Sequence, residues 1–358
     1  MIGDLNTQEF LTFSNEAQAL ALSPRRRAAT IFHIYGRLAI AEGSAADSAD
    51  ALAPEPQPEV TADLSQTEDL GQKAFARRQS DEFSDLKLNR QYEGLSWDGE
   101  GAAGPGPIHP PGDALTTDPP KDTMQGAEAG AAVPLSARMT GRIALGLVIV
   151  SGTAPHLRIT PTEQTLIVSE VQAGLSFLAD RAPNRDVTFV HEISVLTVSV
   201  PEVTSGTTYE DFEAPWRDAA LHQLGQPRGL AGTERYARAL RTKLSTNWAY
   251  VAFFTKYRLK HFGYAAIGGP RLAMHYENDG WGPNQIDRVF AHETGHIFGA
   301  PDEYASSNCN CGGSWGSFGK PNANCAVCAP GGGVSCIMRA NEWAMCPSTR
   351  FHFGYTGA

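Results

Sequence analysis

No cysteine occurs before position 309, and all six lie between Cys309 and Cys346. A fold stapled by disulfides along its whole length is thereby excluded, and the cysteines serve one local region. Positive charge is also short, with 29 Lys and Arg against 39 Asp and Glu and a net charge of −10. That balance excludes a general basic surface for nucleic acid. No apolar run reaches the roughly 18–20 residues of a membrane-crossing helix. The longest, Ile143 to Val150, has the length of a strand. No internal repeat is present, which excludes a repeat array. What remains is core-forming material, 42% hydrophobic and 19% charged, which excludes wholesale disorder. A chain of 358 residues fits two domains, or one with extensions.

The first 138 residues are poor in core-forming pattern. Residues 8–22 and 25–42 read as two short helical stretches, punctuated by Ser23-Pro24-Arg25-Arg26-Arg27. An export signal needs a charged start and an unbroken apolar stretch. The only candidate, residues 31–41, is interrupted by His33 and Arg37. Residues 44–63 and 99–134 have the Ala, Ser, Gly and Pro composition of linkers. Residues 1–138 therefore read as a linker-rich N-terminal extension or pro-segment. From Met139 strand and helix patterns alternate. Residues 142–151, 186–200 and 248–255 read as strands, with short extended segments at 264–267 and 272–276. Residues 161–180, 216–224, 234–243 and 284–298 read as helices. That order indicates a layered α/β domain over 139–358. Its last part, 299–358, is irregular and cysteine-rich.

Chemistry concentrates at the end of the last long helix, in His292-Glu293-Thr294-Gly295-His296. Residues four apart share one helix face. Two imidazoles at that spacing can hold one zinc ion at about 2.0–2.1 Å each. Glu293, next to the first histidine, can reach a water at the metal without being a ligand. Gly299 follows three residues after His296, and glycine stops helices in a left-handed conformation without a Cβ clash. The returning chain can then offer Asp302 to the same ion.

The run His292-Glu293-x-x-His296-x-x-Gly299-x-x-Asp302 resembles the extended zinc motif of the metzincin metallopeptidases, in the snapalysin-like variant whose last ligand is aspartate. Ser335-Cys336-Ile337-Met338-Arg339 resembles the methionine turn of that clan. The resemblance covers residues 139–358. It implies a metzincin-like α/β fold: a mixed twisted sheet, an active-site helix and a small cysteine-rich lower subdomain. It implies a zinc endopeptidase acting on protein or peptide substrates, with His292, His296 and Asp302 as ligands of one catalytic zinc and Glu293 as general base. Met338 would be a packing floor and Gly299 the turn. Some metzincins carry a tyrosine two residues past the methionine. Ala340 stands there, so the motif assigns no such role; Tyr304 and Tyr355 are substitutes to consider. Two further readings stand beside the enzyme: a catalytically weak zinc-binding or adhesion module, and an intracellular processing protease with one protein substrate. Retention of Glu293 favours turnover.

Other residues admit two readings each. Glu303 either orients a ligand or is a solvated carboxylate. His191 lacks a partner at helical spacing and reads as structural. The turn Asn278-Asp279-Gly280-Trp281-Gly282 launches the zinc helix, and Trp281 can border a cleft. Cys309, Cys311, Cys325, Cys328, Cys336 and Cys346 fit three disulfides, which implies a secreted or cell-envelope protein. Four of them also fit a second, structural zinc site, consistent with a cytoplasmic protein. Asp98 is a candidate cap on the metal if residues 1–138 are a pro-segment. Neither calcium binding nor cleavage preference has a signature.

Overall fold

The computed structural model describes residues 8–21, 30–42, 63–99, 134–278 and 281–355. The two linker-like stretches, 44–63 and 99–134, lie almost wholly outside them, as do Arg25–Arg27 and Asp279-Gly280. The described residues form one eight-stranded mixed sheet with helices on both faces. The order along the chain is β1 (Gln8–Thr12), α1 (Glu16–Leu20), β2 (Thr30–Tyr35), β3 (Leu38–Glu42), α2 (Gln66–Arg78), α3 (Asp81–Leu88), β4 (Gly141–Gly152) and α4 (Pro161–Arg181). It continues with β5 (Val187–Val198), α5 (Tyr209–Gln223), α6 (Gly229–Lys243), β6 (Trp248–Thr255), β7 (Gly263–Ala265), β8 (Arg271–His275), α7 (Ile286–Ile297) and α8 (Pro347–His352). Across the sheet the strands run β1-β3-β2-β5-β4-β6-β8-β7. The five from β2 to β8 are mutually parallel, and β1–β3, β3–β2 and β8–β7 pair antiparallel.

Central β4 shows why its sequence is apolar without interruption. Ile143, Leu145, Leu147 and Ile149 face the layer of α2, α4 and α7, while Ala144, Val148 and Val150 face α5 and α6. A parallel strand covered on both faces has no polar side. Helix α4 begins where the sequence predicts. Thr160 caps it, Glu163 closes a capping box, and Pro161 occupies the first turn.

Of the two N-terminal helices expected from the sequence, only the single turn α1 (Glu16–Leu20) forms, within residues 8–22. Residues 30–42 are instead a β-hairpin turning at Gly36 (φ 57°), preceded by β1 and the single-turn helix α1. Ile31, Phe32, Ile34 and Tyr35 are β-branched or aromatic, and their fit to a pleated, buried surface outweighs a helical spacing held over so few residues. The stretch weighed as an export signal is thus buried in β2 and β3. Helices α2 and α3 lie in the region that reads as pattern-poor, though the Ser65–Glu68 capping box of α2 is a local signal for it. His191 is buried in β5 with Nε2 3.0 Å from His33 Nδ1. His33 Nε2 lies 3.0 Å from Ser176 Oγ. Burial lowers His191 to about 3, so this seam between sheet and α4 is neutral.

Candidate metal centre

Every residue of α7 is buried, and its C-terminal half is shaped by two glycines. A Cβ on Gly295 would stand 2.5 Å from Met338 Sδ, so only glycine lets the turn that carries Met338 press against the helix. Gly299 ends it with φ 90°. Its N–H donates to His296 O and that of Ala300 to Gly295 O, the paired bonds of a Schellman stop. A Cβ there would meet Gly316 Cα at 2.7 Å. The chain therefore doubles back and returns Asp302 to the helix.

Three atoms converge as a result. Asp302 Oδ1 is 3.1 Å from His292 Nε2 and 3.2 Å from His296 Nε2, and the two Nε2 atoms are 3.1 Å apart. The far nitrogen of each ring faces a carbonyl: His292 Nδ1 is 3.0 Å from Ile337 O, and His296 Nδ1 2.7 Å from Ala300 O. A carbonyl only accepts, so each Nδ1 carries the proton and each Nε2 presents a lone pair. Three lone pairs in a buried triangle repel unless a proton or a metal cation lies among them. The spacing suits one, since a tetrahedral ion with bonds of about 2.0–2.1 Å holds its ligands about 3.3 Å apart. Burial opposes charge on His296, yet neighbouring Asp302 raises it to about 9. Burial likewise opposes charge on Asp302, but the two imidazoles hold its carboxyl well below the usual range. The site attracts positive charge.

Glu293 lies on the same turn of α7 but outside the triangle. It is buried, its Oε2 has no hydrogen-bond partner among the described residues, and burial raises its pKa. Gly263 of edge strand β7 makes room for it: a Cβ there would sit 3.3 Å from Glu293 Oε1. Tyr304, two residues after Asp302, is also buried with an unpartnered hydroxyl. Its ring centre is 6.5 Å from that of His292. Burial, with the charges of Asp302 and Glu293, pushes its pKa up. Tyr355 is elsewhere, beside Asp186 and Arg350.

Glu303 is not solvated. Its Oε2 accepts from Asn324 Nδ2 at 2.6 Å, and its Oε1 from Thr349 Oγ1 at 3.0 Å and Cys346 Sγ at 3.1 Å. Its backbone N–H donates to Met338 O, which ties the Asp302 loop to the methionine turn. Two disulfides form, Cys309–Cys325 and Cys311–Cys328. The expected third does not: Cys336 and Cys346 are buried thiols. Among the described residues three groups bring ligand atoms within 4.8 Å: His292, His296 and Asp302; Cys311, Cys325 and Cys328; and Glu303, Cys336 and Cys346. The second consists of sulfurs already in disulfides. In the third, Thr349 Oγ1 lies 3.0–3.5 Å from all three groups and fills their centre. The histidine triangle is the group with free lone pairs and no such filler.

Apart from Asp98, the sequence reading missed the segment 87–99. Lys87 and Arg90 reach α4 and α7. Trp97 packs edge-on against His292, with ring centres 5.3 Å apart, and against buried Trp281 at 5.0 Å. Asp98, weighed as a cap on the metal, instead accepts from Ser306 N at 2.8 Å. No local signature marks these residues, because their partners lie between 83 and about two hundred residues away. No helix among the described residues is long and apolar enough to cross a membrane. No protein-family model matches the sequence, and no curated protein matches it.

Proposed function

We propose that this chain is a zinc-dependent endopeptidase of metzincin type. The observation that carries the reading is the triangle of His292 Nε2, His296 Nε2 and Asp302 Oδ1, with sides of 3.1–3.2 Å, beside the buried Glu293 carboxylate, whose Oε2 has no hydrogen-bond partner among the described residues. Zinc held there would supply Lewis acidity, polarising a scissile carbonyl and acidifying water. Glu293 takes the proton of the attacking water at its free Oε2 and returns it to the leaving amine, a task its burial-raised pKa suits. The Tyr304 hydroxyl, with no partner to give up, donates to the oxygen on which charge develops. The two disulfides support a secreted or cell-envelope setting.

A second reading, a zinc-binding module without turnover, draws on burial: His292, Glu293, His296 and Asp302 are only 2–5% exposed. The test is casein hydrolysis by the full chain, stripped with a chelator and reloaded with zinc, alongside metal analysis. The peptidase reading expects one zinc per chain, with hydrolysis lost on stripping and regained on reloading. Zinc bound without cleavage leaves the module; no zinc bound overturns both. Tyr304→Phe should lower kcat by about 10²–10³-fold, the usual cost of one oxyanion donor, at unchanged zinc content and nearly unchanged KM. An unaltered kcat would remove Tyr304 from the mechanism.

A further inference from the structure

The two histidines are oriented by different means. His296 Nδ1 faces Ala300 O, four residues on and inside the helix's own stop. His292 Nδ1 faces Ile337 O, 45 residues away. The first ligand is therefore only as well placed as the turn that carries residue 337. That turn is held from outside by the strap of residues 90–99. Gly94 N donates to Asn341 O, Asn341 N to Leu95 O, and Trp97 N to Arg339 O, forming a short antiparallel bridge with Ser96 opposite Ala340. The Trp97 indole Nε1 donates to Ile337 O at 2.6 Å, the very carbonyl that faces His292. One carbonyl thus takes both donors on its two lone pairs, while the indole edge packs on the His292 ring. Two further pins hold the strap: Arg90 on Asp287 of α7 and Asp98 on Ser306, beyond Asp302. Helix, methionine turn and ligand loop are all gripped by a segment that precedes residue 100.

We infer that Trp97 is a positioning residue of the metal centre: it holds His292 in its ligating tautomer and orientation through the Ile337 carbonyl and by ring contact. This inference rests on the metal reading above. Groups that orient a ligating histidine typically affect metal affinity by about 10- to 100-fold.

The experiment uses the full chain with Co²⁺ and Zn²⁺ as probes. Affinity is read by competition with a chromophoric chelator, the visible cobalt spectrum reports ligand geometry, and urea unfolding of the metal-free protein controls for stability. Trp97→Ala should weaken both metals by about 10- to 100-fold and alter the cobalt spectrum. Trp97→Phe keeps the ring and loses the N–H donor, so it should fall between Ala and wild type. Wild type and both variants binding with one affinity and one spectrum would overturn the inference and leave the metal site standing. So would weakening by Ala that merely tracks a fall in stability, with Phe indistinguishable from wild type. If wild type binds neither metal, the proposed function fails, and the inference with it.

Discussion

Glu293→Gln should leave the protein with its full metal content and reduce peptide hydrolysis by about 10²–10⁴-fold, the usual contribution of a positioned general base. Glutamine matches glutamate in volume, so neither the packing of α7 nor the space beside Gly263 changes. It cannot take a proton from water, which is the role proposed for Glu293. The carboxylate lies outside the triangle, and its Oε2 has no hydrogen-bond partner among the described residues. It also follows His292 directly in the sequence, so it reaches the same space from a different angle. Zinc content by atomic absorption and kcat/KM on a fluorogenic peptide separate the outcomes. Hydrolysis within about tenfold of wild type would be too small an effect for this role and would show that another group takes the proton. Loss of zinc would show that Glu293 is a ligand.

What the sequence made legible is what depends on neighbours. The spacing of His292 and His296, the glycine stop at Gly299 and the return of Asp302 all lie within one helix end and its turn, so their convergence could be read directly. The long central strands and α4 were legible for a related reason, since a run of apolar residues between breakers admits few structures. Residues 30–42 were misread because a short mixed run fits either periodicity until its partners are known. Here β3 and β5 decide the matter. Cysteine pairing was underdetermined in the same way. The even count suggested three bridges, yet Cys346 Sγ donates to Glu303 and Cys336 Sγ lies 3.2 Å from Thr349 Oγ1, contacts that no spacing rule anticipates. The pinning of α7 by Arg90 and of His292 by Trp97 joins residues about two hundred positions apart and leaves no trace in local pattern.

A chain beginning at residue 139 should fail to fold, and Arg90→Met in the full chain should cost about 3–5 kcal/mol, the usual loss on breaking a buried ion pair. Glu170 of α4 and Asp287 of α7 have wholly buried side chains. The cations that bond them directly, Lys87 and Arg90, come from before residue 100, and Arg288 adds a further positive charge near Asp287. Lys87 Nζ lies 2.5 Å from Glu170 and 3.0 Å from Asp287, and the Arg90 fork grips Asp287 at 2.6 and 2.8 Å. Burial pushes the Glu170 carboxyl up even with Lys87 beside it. Burial would raise Asp287 too, but Arg90 and Lys87 hold it well below the usual carboxylate range. Deleting residues 1–138 removes Lys87 and Arg90, the cations bonded to both carboxylates, and removes β2 from the edge of β5. Two such losses rival the whole stability of a domain, about 5–15 kcal/mol. Arg90→Lys keeps the charge and loses the fork, so it should fall between Met and wild type. Asp287→Asn combined with Arg90→Met should recover part of the loss, because the stranded charge is then gone. Urea midpoints of the four proteins measure this. A soluble 139–358 fragment that unfolds cooperatively with the stability of the full chain would overturn the argument. It would then leave the N-terminal region separable, as expected of a pro-segment.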